Sequence, residues 1–158
     1  MLRLLVISDS HSKVNRVIEA IGKNKHRIDR VCFLGDGIDD IKFSCETYPD
    51  IEFDYVLGNN DYHADGVDEK EILCSGKKIL LTHGHLYEGI LGVQKLVNRC
   101  KRDNIDAVFM GHTHRKREVY IEGILFLNPG SIGRPFDGEP SYSIVNIGDT
   151  MDNQVMYI

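Results

Sequence analysis

Five times along this chain a short apolar run stops at residues of the kind that bind metals. Leu2–Ile7 is followed by Asp9 and His11, Val31–Leu34 by Asp36, and Phe53–Leu57 by Asn59. Lys77–Thr82 is followed by His83 and His85, and Ala107–Met110 by His112 and His114. A continuous apolar run of this length, bounded by turn residues, is the pattern of a buried strand. In α/β sheets, ligands bind in the crevice beyond the C-terminal ends of the strands. A parallel arrangement would therefore gather five separate segments at one cleft.

The rest of the pattern fits such an arrangement. Val14, Val17, Ile18 and Ile21 fall at helical spacing, with Gly22 near the expected helix end. Residues 38–47 make a weaker helix ahead of Pro49, and Val93, Leu96, Val97 and Cys100 mark another. Residues 69–74 and 77–82 read as a hairpin through Ser75-Gly76, and 117–121 with 124–127 as a second through Glu122-Gly123. After a Gly/Pro-rich loop, 142–147 and 154–158 form a last β pair. The order begins as α/β and ends in hairpins, which predicts an α/β fold of mixed sheets with helices outside. No linker, repeat or low-complexity segment divides residues 1–158, so one domain is expected.

Composition narrows the function classes. The formal charge of −5 counts against a protein that coats nucleic acid. The four cysteines form no CxxC and read as buried thiols of a cytoplasmic protein. No run approaches the roughly 20 apolar residues of a membrane span.

Each polar strand end has a plain alternative. Asp9 could cap the helix that follows, Gly35-Asp36 could be a turn, and Gly58-Asn59-Asn60-Asp61 is dense in turn formers. Asp61 itself either supports Asn59 or finishes that turn. The chance reading must hold at all five strand ends together, which weighs heavily against it. Carboxylates, a carboxamide and several imidazoles, with no thiolate, suit Mn, Fe, Zn, Co or Ni. There are more ligands than one ion needs, so two ions bridged by a carboxylate fit better, and Asp36 is the natural bridge. Two divalent ions against Asp9 and Asp36 leave two positive charges, which a hydroxide and a phosphodiester monoanion would cancel. Metal coordination lowers the pKa of water to about 7, so such a site is hydrolytic.

The series Asp9-x-His11, Gly35-Asp36, Gly58-Asn59, His83-Gly-His85 and Gly111-His112-Thr-His114, then Asn128-Pro-Gly-Ser131, resembles the calcineurin-like metallophosphoesterases. It is most similar to their small YfcE-type phosphodiesterase branch, to which the phosphoesterase-fold subunit of retromer also belongs. The resemblance implies a four-layer α/β/β/α sandwich of two mixed β-sheets flanked by helices. It implies two divalent metal ions, with manganese the expected activator in vitro and Ni, Fe, Zn or Co as alternatives. Asp9, His11 and His114 would hold one ion, Asn59, His83 and His112 the other, and Asp36 both. Asp36, Asn59 and His85 are the expected catalytic residues, and Asn60, His85 and Arg134 the expected substrate contacts. The chain departs from the family at Asn60, where many members carry a histidine that protonates the leaving group. A carboxamide cannot do this, and general acid help is worth about 10²–10⁴-fold in rate.

The expected activity is hydrolysis of a small-molecule phosphodiester, with nucleic acid only as a substrate and no membrane partner. A phosphomonoesterase with the same centre and a non-catalytic protein-binding scaffold of the retromer type are the alternatives. A homo-oligomer is left open. Arg115-Lys116-Arg117 and His26 read mainly as exposed cationic residues, and His63 as a candidate to overhang the cleft.

Overall fold

The computed structural model describes residues 1–158. Strands β1 (Leu2–Ile7), β2 (Arg30–Phe33) and β3 (Glu52–Tyr55) pair in parallel, connected by helices α1 (Val14–Asn24) and α2 (Ile38–Thr47). The chain then moves to a second sheet. Strands β4 (Glu69–Cys74) and β5 (Lys77–Thr82) form a hairpin. Helix α3 (Gly89–Asp103) leads to β6 (Ala107–Phe109), which is followed by the hairpin of β7 (Lys116–Ile121) and β8 (Ile124–Pro129). In this sheet β5, β6 and β8 run parallel, in the order β4-β5-β6-β8-β7. Finally β9 (Ser141–Ile147) and β10 (Met151–Tyr157) return antiparallel to the first sheet, whose order is β10-β9-β1-β2-β3.

The apolar runs are continuous because their strands are covered on both faces. Leu4 and Val6 of β1, Cys32 of β2 and Leu34 just past it, and Val145 and Ile147 of β9 pack between the sheets against Ile79, Leu81, Phe109, Leu125 and Leu127. The alternate residues Leu5, Ile7, Val31, Phe33 and Ile144 face outward onto Val17, Ala20 and Ile21 of α1 and Ile38 and Ile41 of α2. On the other side, Leu80, Val108, Ile124 and Phe126 meet Leu96, Val97 and Cys100 of α3. The result is two mixed five-stranded sheets face to face with helices on either side, the α/β/β/α sandwich that the resemblance implied.

Some boundaries differ from the sequence reading for local reasons. Helix α1 ends close to Gly22 as expected, at Asn24, whose amide donates to the Ala20 carbonyl and the Tyr142 hydroxyl. Strand β3 ends at Tyr55 because Leu57 takes a new partner, donating its N–H to the Val67 carbonyl. Strand β10 begins at Met151, earlier than expected, because Met151, Asp152 and Asn153 pair with Ile147, Asn146 and Val145 of β9 despite their polar sequence. Both tight turns match expectation: Ser75-Gly76 and Glu122-Gly123 all have positive φ, the backbone of a type I′ hairpin turn.

Asp61 does more than finish its turn. Its buried carboxylate accepts four backbone N–H groups from two loops. Oδ2 takes those of Asp36 at 2.7 Å and Gly58 at 2.8 Å, and Oδ1 those of Gly37 at 2.9 Å and Ile38 at 3.0 Å. This fastens the end of β2 to the end of β3. Hydrogen bonds to charged groups contribute about 1.5–3 kcal/mol each. Asp61→Asn keeps the shape but turns an NH₂ toward two N–H donors. We expect it to lower stability by about 3 kcal/mol or more, drawing on the same range. Urea unfolding checks this, and a loss below about 1 kcal/mol would contradict the clamp.

Candidate metal centre

The strand ends of the two sheets meet at one edge, and their backbone is unusual there. Asp9, His11, Asp36, His112 and His114 all have φ between +43° and +68°. Left-handed backbone costs about 1–3 kcal/mol at a non-glycine residue and clusters at functional sites. Close packing of the loops fixes it. A Cβ on Gly58 would run into the Asp36 carboxylate, and one on Gly111 would come 2.6 Å from Asp9 Oδ2.

Asp9 is fully buried. It caps no helix: its Oδ2 accepts the Ser8 hydroxyl at 2.6 Å and the His112 N–H at 3.0 Å. Its Oδ1 has no hydrogen-bond partner. Around that oxygen stand the Nε2 atoms of His114 at 3.2 Å, His11 at 3.8 Å and His83 at 3.8 Å. Asp36 is held from one side by Asn60, whose backbone N–H donates to Oδ1 at 2.8 Å and whose amide donates to Oδ2 at 2.6 Å. From the other side, His83 Nε2 lies 3.4 Å and His11 Nε2 3.7 Å from Asp36 Oδ2.

Two of the imidazoles are oriented by backbone. His83 Nδ1 pairs with the Leu34 carbonyl at 2.7 Å, and His114 Nδ1 with the Arg134 carbonyl at 2.7 Å. With Nδ1–H donating outward, each Nε2 lone pair points into the site. His11 and His114 present their Nε2 atoms to each other at 3.1 Å. Asp9, His11 and His114 thus converge as one group, and Asp9, Asp36 and His83 as a second, each with its ligand atoms within 4.8 Å of one another. Asp9 belongs to both.

The electrostatics follow from burial and these contacts. Burial would raise Asp36, but the nearby His83 imidazole and the hydrogen bonds from Asn60 outweigh it and hold the carboxyl well below its usual range. Burial pushes His11 down. Burial also opposes the charged form of His83, yet the Asp36 and Asp9 carboxylates raise it. The contact with Asp9 raises His114. Burial, then the neighbouring His83, lowers His85. A buried carboxylate oxygen and the buried His83 Nε2, both without a donor or acceptor, are costly unless a cation lies between them. The donor set of carboxylates and imidazoles therefore fits a divalent metal.

The other expected site residues lie around this cluster. Asn59 is exposed on the rim, and its side chain makes no hydrogen bond. His112 is adjacent, its ring 5.1 Å from that of His83, but its Nε2 pairs with Glu88 at 2.6 Å. The His85 ring is 5.5 Å from His83, and its buried Nδ1 has no partner. Asn60 was expected to touch substrate, yet its amide is committed to Asp36. Arg134 supplies its carbonyl to His114 and leaves its exposed guanidinium without a hydrogen bond. Arg115 lies over the Phe136 ring, Lys116 pairs with Asp137, and His63 pairs with Asp39. A groove of about 1160 Å³ opens from His112 and Arg115 along α3 toward β7, floored by Met110, Val119 and Phe126.

Three contributors escaped the residue-type reading. Ser131 donates its hydroxyl to the Asp9 carbonyl at 2.8 Å, and Asn128 its amide to the Gly111 carbonyl at 2.7 Å. The Asn128-Pro-Gly-Ser131 motif flagged these two without giving a role. Glu88 carried no signal at all.

Comparison with known proteins bears on this geometry. The family model of the calcineurin-like phosphoesterase superfamily domain matches residues 2–150. The probable metallophosphoesterase YsnB of Bacillus subtilis is 33% identical over 139 residues, covering 85% of this chain and 77% of YsnB. A crystal structure of a predicted phosphoesterase from Streptococcus pneumoniae superposes with a TM-score of 0.85 at 28% identity, over 99% of this chain and 89% of that one. The E. coli phosphoesterase YfcE shares the fold, with a TM-score of 0.68 at 21% identity over 92% of this chain and 88% of its own. Through the family match across nearly all of its length, this chain belongs to the calcineurin-like phosphoesterase superfamily.

Proposed function

We propose that the protein is a metal-dependent phosphodiesterase working with two divalent ions, manganese serving in vitro. The observation that carries this reading is the convergence of Asp9 Oδ1, Asp36 Oδ2 and the Nε2 atoms of His11, His83 and His114 from four strand ends. In this reading Asp9, His11 and His114 hold one ion, and His83, His112 and Asn59 the other. Asp36 is shared between them, and residues 1–158 act as one domain. Bound divalent ions would lower the pKa of water to about 7 and neutralise phosphoryl oxygens in an in-line displacement.

The chain's own residues shape the rest. Asn60 keeps Asp36 in place through two hydrogen bonds but has no proton to give a leaving group. His85, lowered by burial, is neutral near pH 7, which suits it to orient substrate or accept a hydrogen bond rather than act as an acid. The free Arg134 guanidinium is available to a phosphate oxygen. A phosphomonoesterase using the same centre is the second reading, favoured by the unpaired charge of Arg134. Rates on mono- and bis-aryl phosphates separate the two. The four free cysteines, three of them buried, support a cytoplasmic setting.

Metal analysis with a bis(p-nitrophenyl) phosphate assay, wild type beside Asp36→Asn, tests the proposal. The variant should lose at least one ion and nearly all activity, because removing the shared charge leaves two cations repelling across the gap. Retention of both metals and of activity would sink it. A second expectation comes from the missing acid. Aryl diesters should be cleaved at least about 10²-fold faster than alkyl diesters, the low end of what general acid help supplies. Comparable rates would mean that another group delivers the proton.

A further inference from the structure

We infer that Glu88 is a positioning residue for His112, fixing which ring nitrogen His112 offers to a divalent cation. The inference rests on the metal-centre reading above and adds a residue to it. Three histidines of the cluster pair one ring nitrogen with an oxygen acceptor, in two orientations. His83 and His114 each commit Nδ1 to a backbone carbonyl and turn Nε2 inward. His112 is inverted. Its Nε2 pairs with Glu88 Oε1 at 2.6 Å, while its Nδ1 makes no hydrogen bond. With Nε2–H donating to a carboxylate, the lone pair resides on Nδ1, the only nitrogen of this ring left to bind a cation.

The backbone explains the inversion. His112 stands in left-handed backbone with φ +68°, immediately after Gly111, and its own N–H is tied to Asp9. Its ring stands edge-on to that of His83, 5.1 Å away. No carbonyl takes its outer nitrogen, so a side chain from another element does. Glu88 comes from the segment between β5 and α3, set off by Gly84 at φ +104° and Gly89 at φ +72°. It accepts no capping hydrogen bond for α3, and two-thirds of its side chain is exposed. Its one polar side-chain contact is His112. The acceptor is also charged, unlike those of His83 and His114, so it makes the ring a stronger donor to a cation than a carbonyl would.

Partners of this kind are worth about 10–100-fold in metal affinity. The full-length wild type, Glu88→Ala and Glu88→Gln are titrated with Mn²⁺, counting bound ions and their affinities from free Mn²⁺ by EPR. Wild type should bind two ions. Glu88→Ala should bind one of the two ions about 10–100-fold less tightly and the other nearly unchanged, the range expected for losing this partner. Glu88→Gln, whose amide oxygen still accepts the Nε2 proton, should fall between them. Without metal, long-range ¹H–¹⁵N spectra should show His112 as the Nε2–H tautomer in wild type and as a mixture in Glu88→Ala. Unchanged thermal melting would separate these effects from damage to the fold. If wild type binds two ions and Glu88→Ala matches it, the inference falls while the centre stands. If wild type itself does not take up two ions, the dinuclear reading falls and takes this inference with it.

Discussion

A carboxylate buried at the seam of two sheets with one oxygen unpartnered is the constraint around which this protein is organised. Taking an ionised carboxyl from water costs several kcal/mol, by rough estimates for protein interiors, unless charge or hydrogen bonds compensate. Asp9 is met on one oxygen by Ser8 and the His112 N–H, and on the other only by imidazole nitrogens. Asp36 is met by Asn60 and faces the same imidazoles. The rest of the edge serves this arrangement. Ser131 steadies the Asp9 backbone, Asn128 steadies the Gly111 loop, and Asp61 binds the two loops that carry Asp36 and Asn59.

The layered architecture makes that seam possible. Each sheet presents alternate apolar residues to the other sheet and to its own helices. The strands are therefore rigid on both faces, and their ends can hold strained loops. The left-handed residues at the site persist because neighbouring segments leave no room to relax, as at Gly58 and Gly111.

Much of this was legible in the amino-acid order. Runs such as Val31–Leu34 announce strands covered on both sides, and the residues that end them name the cluster. The two hairpin turns were readable from their residue types. What was not legible is lateral. Nothing around Asp61 says that it will accept N–H groups from residues 36, 37 and 38. Nothing in Leu86-Tyr87-Glu88 says that its acid will reach His112. The extent of β3 depended on Val67, ten residues beyond Leu57. Such contacts are set by how elements dock, and local pattern is blind to docking. Nor does local pattern say that Asp9 Oδ1 and Asp36 Oδ2 both come within 4 Å of the His11 and His83 Nε2 atoms.

The position of β9 bears on how the molecule is made. The strand that carries Asp9 at its end lies between β2 and β9, and β9 comes from residues 141–147. On the ribosome, β1 is made well before β9, so one of its flanks stays open until residues 141–147 have been synthesised. An open flank on an apolar strand is a template for wrong pairing between chains. The β9–β10 hairpin is therefore the piece that closes the first sheet, and a nascent chain stalled before residue 141 would leave the β9 side of β1 unpaired.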